Sequence, residues 1–152
     1  MLLPAVLLQG LASALRPSRS PQAAAQAWGA AYAAYARAAQ AAGVPWVPTG
    51  AEEARFSATL VRSMTVGGSP SLLAGAVCDA ILAFWMLPPV VFGPGAVTAF
   101  GGQAVLQSSL AALFSNPRNE GTIVATHAAA AMDAASRTVI VTLPIVGPSP
   151  LV

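Results

Sequence analysis

Prolines and glycines interrupt this sequence throughout and limit it to helices of moderate length. Proline breaks the interior of a helix, and glycine is unfavourable there. The chain has 13 residues of each kind. The segments between them are rich in alanine, the best helix former, which accounts for 35 of the 152 residues. We therefore predict a mainly α protein, a single domain over residues 1–152 built as an Ala-rich bundle of about five helices with Pro/Gly-rich connectors.

Helix start signals locate four of these five helices, and leucines on one face indicate the helix over 103–114. A serine or asparagine before a proline is favourable, because its side chain caps free amides and proline suits the first helical position. The capping-box pattern of Thr49 and Glu52 marks another start. On that helix, Glu52 and Arg55 are expected to pair at the surface. The sequence shows neither a fixed-period repeat nor a coiled-coil heptad. The predicted helices cover residues 20–42, 49–64, 69–87, 103–114 and 116–137.

The two ends of the sequence are apolar. Residues 1–19 predict a short helix or a docking arm. Their apolar run ends in small residues, as in a signal peptide, but no basic residue precedes it, so we expect it in the mature chain. Residues 138–142 are β-branched and are interpreted as a continuation of the last helix. Residues 143–152 contain three prolines, which exclude a helix and predict an extended C-terminal tail, packed on its own domain or on a neighbour as an added strand.

Scarcity of charge gives the strongest indication of function. Only 8% of residues are charged, against about 25% in an average soluble domain. Charged residues are depleted from the cores of protein interfaces. The composition therefore favours a non-enzymatic structural subunit, buried among other protein subunits in a homo- or hetero-oligomeric assembly such as a virion, a phage tail or a tail-like particle.

Other function classes lack their usual residues. The seven arginines are spread along the chain, which argues against nucleic-acid binding. One cysteine, Cys78, and one histidine, His127, give no basis for a zinc site, and a nucleophilic triad through them needs a tertiary coincidence. The glycines of residues 90–102 match no phosphate-binding motif and are interpreted as turns. We expect no catalytic residues, no cofactor and no metal.

A small integral membrane protein is the alternative interpretation. Residues 70–87 form the most apolar segment, near the lower length limit for a transmembrane helix. Asp79 lies near its middle, where an acidic residue is costly in a bilayer. A buried core helix therefore explains this segment better, although a membrane partner stays possible.

Large apolar side chains on the predicted helices and ends are the candidate contacts with other subunits. Trp28, Tyr32 and Tyr35 recur at helical spacing on one face. The complete candidate set is Leu3, Leu7, Leu11, Trp28, Tyr32, Tyr35, Trp46, Trp85, Ile145 and Val146.

Overall fold

The protein is mostly helical, with short antiparallel strands. The computed structural model describes residues 1–15, 20–65 and 68–152. The predicted arm over 1–19 contains a helix, and its residues 16–19 lie outside the described residues. The six helices are α1 (Pro4–Ala14), α2 (Pro21–Ala36), α3 (Ala51–Met64), α4 (Pro70–Met86), α5 (Gln103–Ser115) and α6 (Gly121–Ser136).

Two of the three proline start signals are confirmed. The Ser20 and Ser69 hydroxyl oxygens accept hydrogen bonds from backbone amides in the first turns of α2 and α4. The predicted start at Asn116 is wrong by four residues, since Glu120 is the N-cap of α6. The Asn116 side chain instead accepts a hydrogen bond from the Arg118 amide at 3.0 Å. This local bond forms a turn that competes with the helix.

Strands replace several segments that were predicted as helix or turn. α2 ends before the predicted residue 42, because a hairpin begins there. Residues 138–142 form most of a strand and do not continue α6. Residues 90–102 contain two strands as well as turns. The strands are β1 (Gln40–Ala41), β2 (Val44–Pro45), β3 (Val91–Phe92), β4 (Gly95–Phe100), β5 (Val139–Leu143) and β6 (Gly147–Pro150).

The C-terminal segment belongs to the protein's own sheet, so a free arm over 143–152 is not confirmed. β3, β4, β5 and β6 form an antiparallel sheet in that order. β6 pairs with β5 from Gly147 to Pro150. The segment then continues to β1, where Val152 and Gln40 exchange two backbone hydrogen bonds of 3.0 and 3.2 Å. The C-terminal residues are thus held between the strands of two hairpins.

The six helices form a closed ring in chain order. Each helix packs on the next one, from α1 on α2 to α5 on α6, and α6 packs on α1. Helices α1 and α2 pack closely at a glycine. A Cβ added at Gly10 of α1 would lie only 2.5 Å from the Ala31 Cβ of α2, too close for two carbon atoms. Each even-numbered helix leads into a hairpin, so the three hairpins lie at one end of the ring. We call this the hairpin end.

The architecture repeats three times, contrary to the interpretation of the sequence as free of repeats. Two helices and a hairpin form each unit: α1, α2, β1 and β2, then α3, α4, β3 and β4, then α5, α6, β5 and β6. The period is about 50 residues, within the range of repeat proteins. The helix N-caps Ser20, Ser69 and Glu120 occupy the same position in the three units and share nearly the same backbone angles.

The repeat is visible in the pattern of burial. The second helix of each unit buries six residues with identical spacing. In α2 they are Ala25, Trp28, Gly29, Tyr32, Tyr35 and Ala36. In α4 they are Ala74, Val77, Cys78, Ile81, Phe84 and Trp85. In α6 they are Ala125, Ala128, Ala129, Met132, Ala135 and Ser136. The first helices likewise bury two equivalent positions, Leu7 and Leu11, Phe56 and Leu60, and Leu106 and Leu110.

The segment considered as a membrane span, residues 70–87, corresponds to α4. This helix lies between α3 and α5 and buries more than half of its residues. Among the described residues, no helix combines the length and the apolarity needed to cross a bilayer.

Candidate interaction surface

Seven of the ten candidate contact residues lie in the core of this chain. Leu7 and Leu11 of α1, the three aromatic residues of α2, Trp46 and Trp85 are all at most 4% exposed. In this structure they are not accessible to a partner subunit, which corrects their predicted role. The aromatic stripe of α2 faces inward because the ring surrounds it: Tyr32 stacks on Phe56 of α3 and meets Phe84 and Trp85 of α4 edge-on.

A chain of hydrogen bonds crosses this core. The Trp85 indole Nε1 donates to the Tyr32 hydroxyl at 2.8 Å. The Tyr32 and Ser136 hydroxyls are 2.7 Å apart, and Ser136 donates to the Met132 carbonyl at 2.7 Å. Because Ser136 uses its proton on Met132, Tyr32 donates to Ser136. Burial raises the pKa of Tyr32 well above its ordinary value, so the hydroxyl stays protonated and its role is structural.

A second group of hydrogen-bonded side chains lies closer to the surface. The Tyr35 hydroxyl donates to Asp133 Oδ1 at 2.7 Å, and Arg137 Nε donates to Asp133 Oδ2 at 2.9 Å. Burial, followed by the nearby Tyr32 and Asp133, raises the pKa of Tyr35. The three residues hold α2 and α6 together, and Arg137 balances the charge of the carboxylate.

Replacing Tyr32 with phenylalanine is expected to destabilise the protein by about 1–3 kcal/mol, because the Trp85 N–H loses its acceptor in the interior. Urea denaturation followed by circular dichroism measures this change. In a double-mutant cycle, the Trp85→Phe change should cost less in the Tyr32→Phe background than in the wild type. Equal costs in the two backgrounds would show that the hydrogen bond contributes nothing.

Cys78 and His127 are not arranged as a nucleophile and its base. The Cys78 thiol is buried and contacts the Gln103 carbonyl of α5 at 3.7 Å. Burial and the nearby Asp79 charge raise its pKa to about 11. His127 is exposed and lines a groove of about 450 Å³ between α5 and α6, to which Cys78 does not contribute.

Two charged residues of α3, Glu52 and Arg55, bind at the ends of helices. Glu52 is buried and accepts hydrogen bonds from the Thr49 amide and hydroxyl. Arg55 does not form its expected surface pair with Glu52. It donates instead to the Ala83 and Phe84 carbonyls at 3.1 and 3.2 Å. These carbonyls lie in the last turn of α4, where the helix dipole favours a cation.

Glu53 lines an open groove of about 660 Å³ between α2 and α3, together with Gln22, Gln26 and Ser57. Among the described residues that line this groove, Glu53 is the one titratable side chain. Across residues 1–15, 20–65 and 68–152, no three His, Cys, Asp or Glu side chains are grouped closely enough to hold a metal ion.

The hairpins carry no charged side chain. None of residues 38–50, 87–102 and 138–152, which contain them, is Asp, Glu, Lys or Arg. At average usage about a quarter of them would be charged. Charged groups border the hairpins: Arg37 and Arg137 directly follow α2 and α6, Glu52 and Glu53 lie in the first turn of α3, and the Met1 amino group contacts Ala38.

Most of the exposed large apolar side chains lie at the same end. Ile145 is 98% exposed at the tip of the β5–β6 turn, and Val146 stands beside it. The Met1 amino group donates to the Ala38 carbonyl, which places the start of α1 at this end too. The surface residues of the hairpin end are Met1, Leu3, Val47, Leu87, Val91, Val105, Ile145, Val146 and Val152.

Leu3, Ile145 and Val146 are the three candidate contact residues on this surface. The sequence analysis missed the other six, although the absence of charge around 87–102 and 138–152 was a visible signal. Within the described part of the chain, the other two exposed large apolar side chains are Leu72 and Ile123. They lie at the first turns of α4 and α6, at the opposite end of the ring.

The chain was compared with family models, with curated proteins and with solved structures. None of these comparisons finds a match. Its function is therefore inferred from its own residues.

Proposed function

We propose that this protein is a non-enzymatic structural subunit of a large multi-protein assembly, such as a virion, a phage tail or a tail-like particle, and that it joins its neighbours through the hairpin end. The observation that carries the proposal is the concentration of exposed large apolar side chains at one end of the molecule, around hairpins that carry no charged side chain. An exposed apolar patch of this kind is typical of a protein interface.

The physical reason is the cost of removing polar groups from water. A charge that is buried without a partner is expensive, whereas apolar side chains gain free energy when they are covered. The hairpins have apolar side chains to cover and no charged side chain to desolvate. The opposite end carries the charged loop residues Arg118 and Glu120, which keep it hydrated.

Sedimentation of native material through a gradient tests this proposal, with the chain followed by mass spectrometry. We expect the chain to travel in a large particle, whether or not mild detergent is present. Flotation with lipid until detergent releases the chain would favour the membrane alternative. A chain that stays at the top of the gradient under both conditions would contradict a role as an assembly subunit.

Substitutions test whether the hairpin end is the surface through which this chain joins the particle. Ile145→Asp combined with Val146→Asp places two carboxylates in the β5–β6 turn, where aspartate is well tolerated. We expect this variant to be absent from the particle. Leu72→Asp is the matched control, because Leu72 is 60% exposed at the other end and an acidic residue suits the first turn of a helix. Equal incorporation of the two variants would contradict a role for the hairpin end.

A further inference from the structure

We infer that the cleft between α2 and α3 binds a small zwitterion, an α-amino acid with a polar, uncharged side chain. The inference goes beyond the proposed function and does not depend on it. The cleft has two adjoining parts, a pocket of about 230 Å³ at the hairpin end and the open groove of about 660 Å³, which share Gly50 and Glu53. Together they fall within the range of about 300–1,000 Å³ that is usual for small-molecule sites.

The walls of the cleft are held by the surrounding structure. Trp46 forms one wall of the pocket, and its ring packs on Phe84 with the ring centroids 5.3 Å apart. Gly50 forms another wall and precedes α3 with a φ of 84°, in the left-handed region that glycine adopts without strain. Further along, a Cβ added at Gly29 of α2 would collide with the Ser57 hydroxyl of α3, so the two helices are in direct contact. The cleft is therefore formed before a ligand arrives.

Two side chains of opposite charge line the pocket. Arg37 follows the last turn of α2, and Glu53 lies in the first turn of α3. Within the described part of the chain, the one ion pair lies elsewhere, at the end of α6. Glu52 also lines the pocket, but both of its carboxylate oxygens already accept hydrogen bonds from Thr49. The pocket thus presents one available cation and one available anion.

This pair of charges selects the charge of the ligand. An apolar ligand would remove both groups from water without giving them a partner, which is costly. Glu52 and Glu53 would repel a simple anion, and Arg37 would repel a simple cation. A zwitterion suits both groups, because its carboxylate can accept hydrogen bonds from the Arg37 guanidinium while its ammonium donates to Glu53. Both side chains line one small pocket, so the neighbouring charged groups of an α-amino acid can reach both.

The adjoining groove selects the side chain of the ligand. Gln22, Gln26 and Ser57 line this groove, and each of them can donate and accept hydrogen bonds. Ser57 lies one turn after Glu53 on α3, about 6 Å further along the helix. An amino-acid side chain that starts beside Glu53 and ends in an amide can span this distance and bond these polar groups. L-glutamine is therefore the amino acid that we expect to fit both parts of the cleft.

Isothermal titration calorimetry of the purified full-length chain with L-glutamine tests the inference. We expect saturable binding with a dissociation constant below about 1 mM. N-acetyl-L-glutamine lacks the ammonium and L-glutaminamide lacks the carboxylate, so each should bind at least about tenfold more weakly. L-leucine should also bind at least about tenfold more weakly, because its apolar side chain leaves the polar groups of the groove without partners.

Charge-removing variants connect the binding to the pocket. Arg37→Gln and Glu53→Gln should each raise the dissociation constant for L-glutamine at least about tenfold, since each removes a charged hydrogen-bond partner. Arg118→Gln and Glu120→Gln are the matched controls. They make the same changes of charge in the loop between α5 and α6, at the opposite end of the ring, and should leave the dissociation constant unchanged. Circular dichroism verifies that all four variants are folded.

Three outcomes would overturn the inference. The first is the absence of saturable L-glutamine binding up to about 10 mM. The second is equal binding by the wild type and by the Arg37 and Glu53 variants. The third is equal affinity for L-glutamine and for N-acetyl-L-glutamine or L-leucine. A chain that binds no amino acid but still enters the large particle through the hairpin end would remove this inference and leave the proposed function standing.

Discussion

Replacing Trp85 with alanine is expected to lower the free energy of unfolding by about 3–5 kcal/mol, because the change leaves a large cavity in the core. Trp85 is fully buried. Its ring centroid lies 4.9 Å from Phe84, 5.6 Å from Trp46 and 6.1 Å from Phe92. The change also removes the donor to Tyr32. Since whole domains are stable by about 5–15 kcal/mol, this loss approaches global unfolding.

The measurement is urea denaturation at equilibrium, followed by circular dichroism. Ile145→Ala is the control, because a side chain that is 98% exposed should change stability by less than about 0.5 kcal/mol. A Trp85→Ala variant that unfolds at the same urea concentration as the control would show that the core is not packed as described.

Alanine substitutions at Leu7 and Leu106 are expected to destabilise the protein by similar amounts, about 2–5 kcal/mol each. The two leucines occupy the same position in the first helices of units 1 and 3, and both are buried. A position that is equivalent in the repeat should respond equally to the same deletion of apolar atoms. Thermal and urea unfolding of the two variants measure the losses.

Val105→Ala is the matched control for Leu106, since the two residues are adjacent and Val105 is 72% exposed. We expect it to change stability by less than about 0.5 kcal/mol. If the Leu106 variant were as stable as the Val105 variant while the Leu7 variant was strongly destabilised, the equivalence of units 1 and 3 would be refuted.

Local signals in the sequence were sufficient for the helical class. Serine before proline located the starts of α2 and α4, because these residue types satisfy the free amides of a first turn. The strands were harder to predict. β1, β2 and β3 have two residues each, which is too short for an alternating pattern. The Thr138–Thr142 run has three consecutive apolar residues in its middle and no alternation of apolar and polar residues. Periodicity therefore could not distinguish a strand from a helix there.

The repeat escaped detection because equivalent positions carry different residues. Trp28, Val77 and Ala128 occupy one position, and Tyr32, Ile81 and Met132 occupy another. The prediction of contact residues was wrong at the buried positions for a related reason. Periodicity identifies a helix face that is buried, but not whether the covering surface belongs to the same chain or to a neighbour. Seven buried residues were therefore assigned to partners.

Joining three similar units in one chain changes what a single substitution can do. In a homotrimer of separate units, every substitution appears three times around the axis, so a tyrosine in the centre would bring two further tyrosines with it. Here the position of Tyr32 is filled once by tyrosine, once by isoleucine and once by methionine. One covalent chain can thus place a single hydrogen-bonding group at the middle of a ring, and can give a different tip to each of its three hairpins.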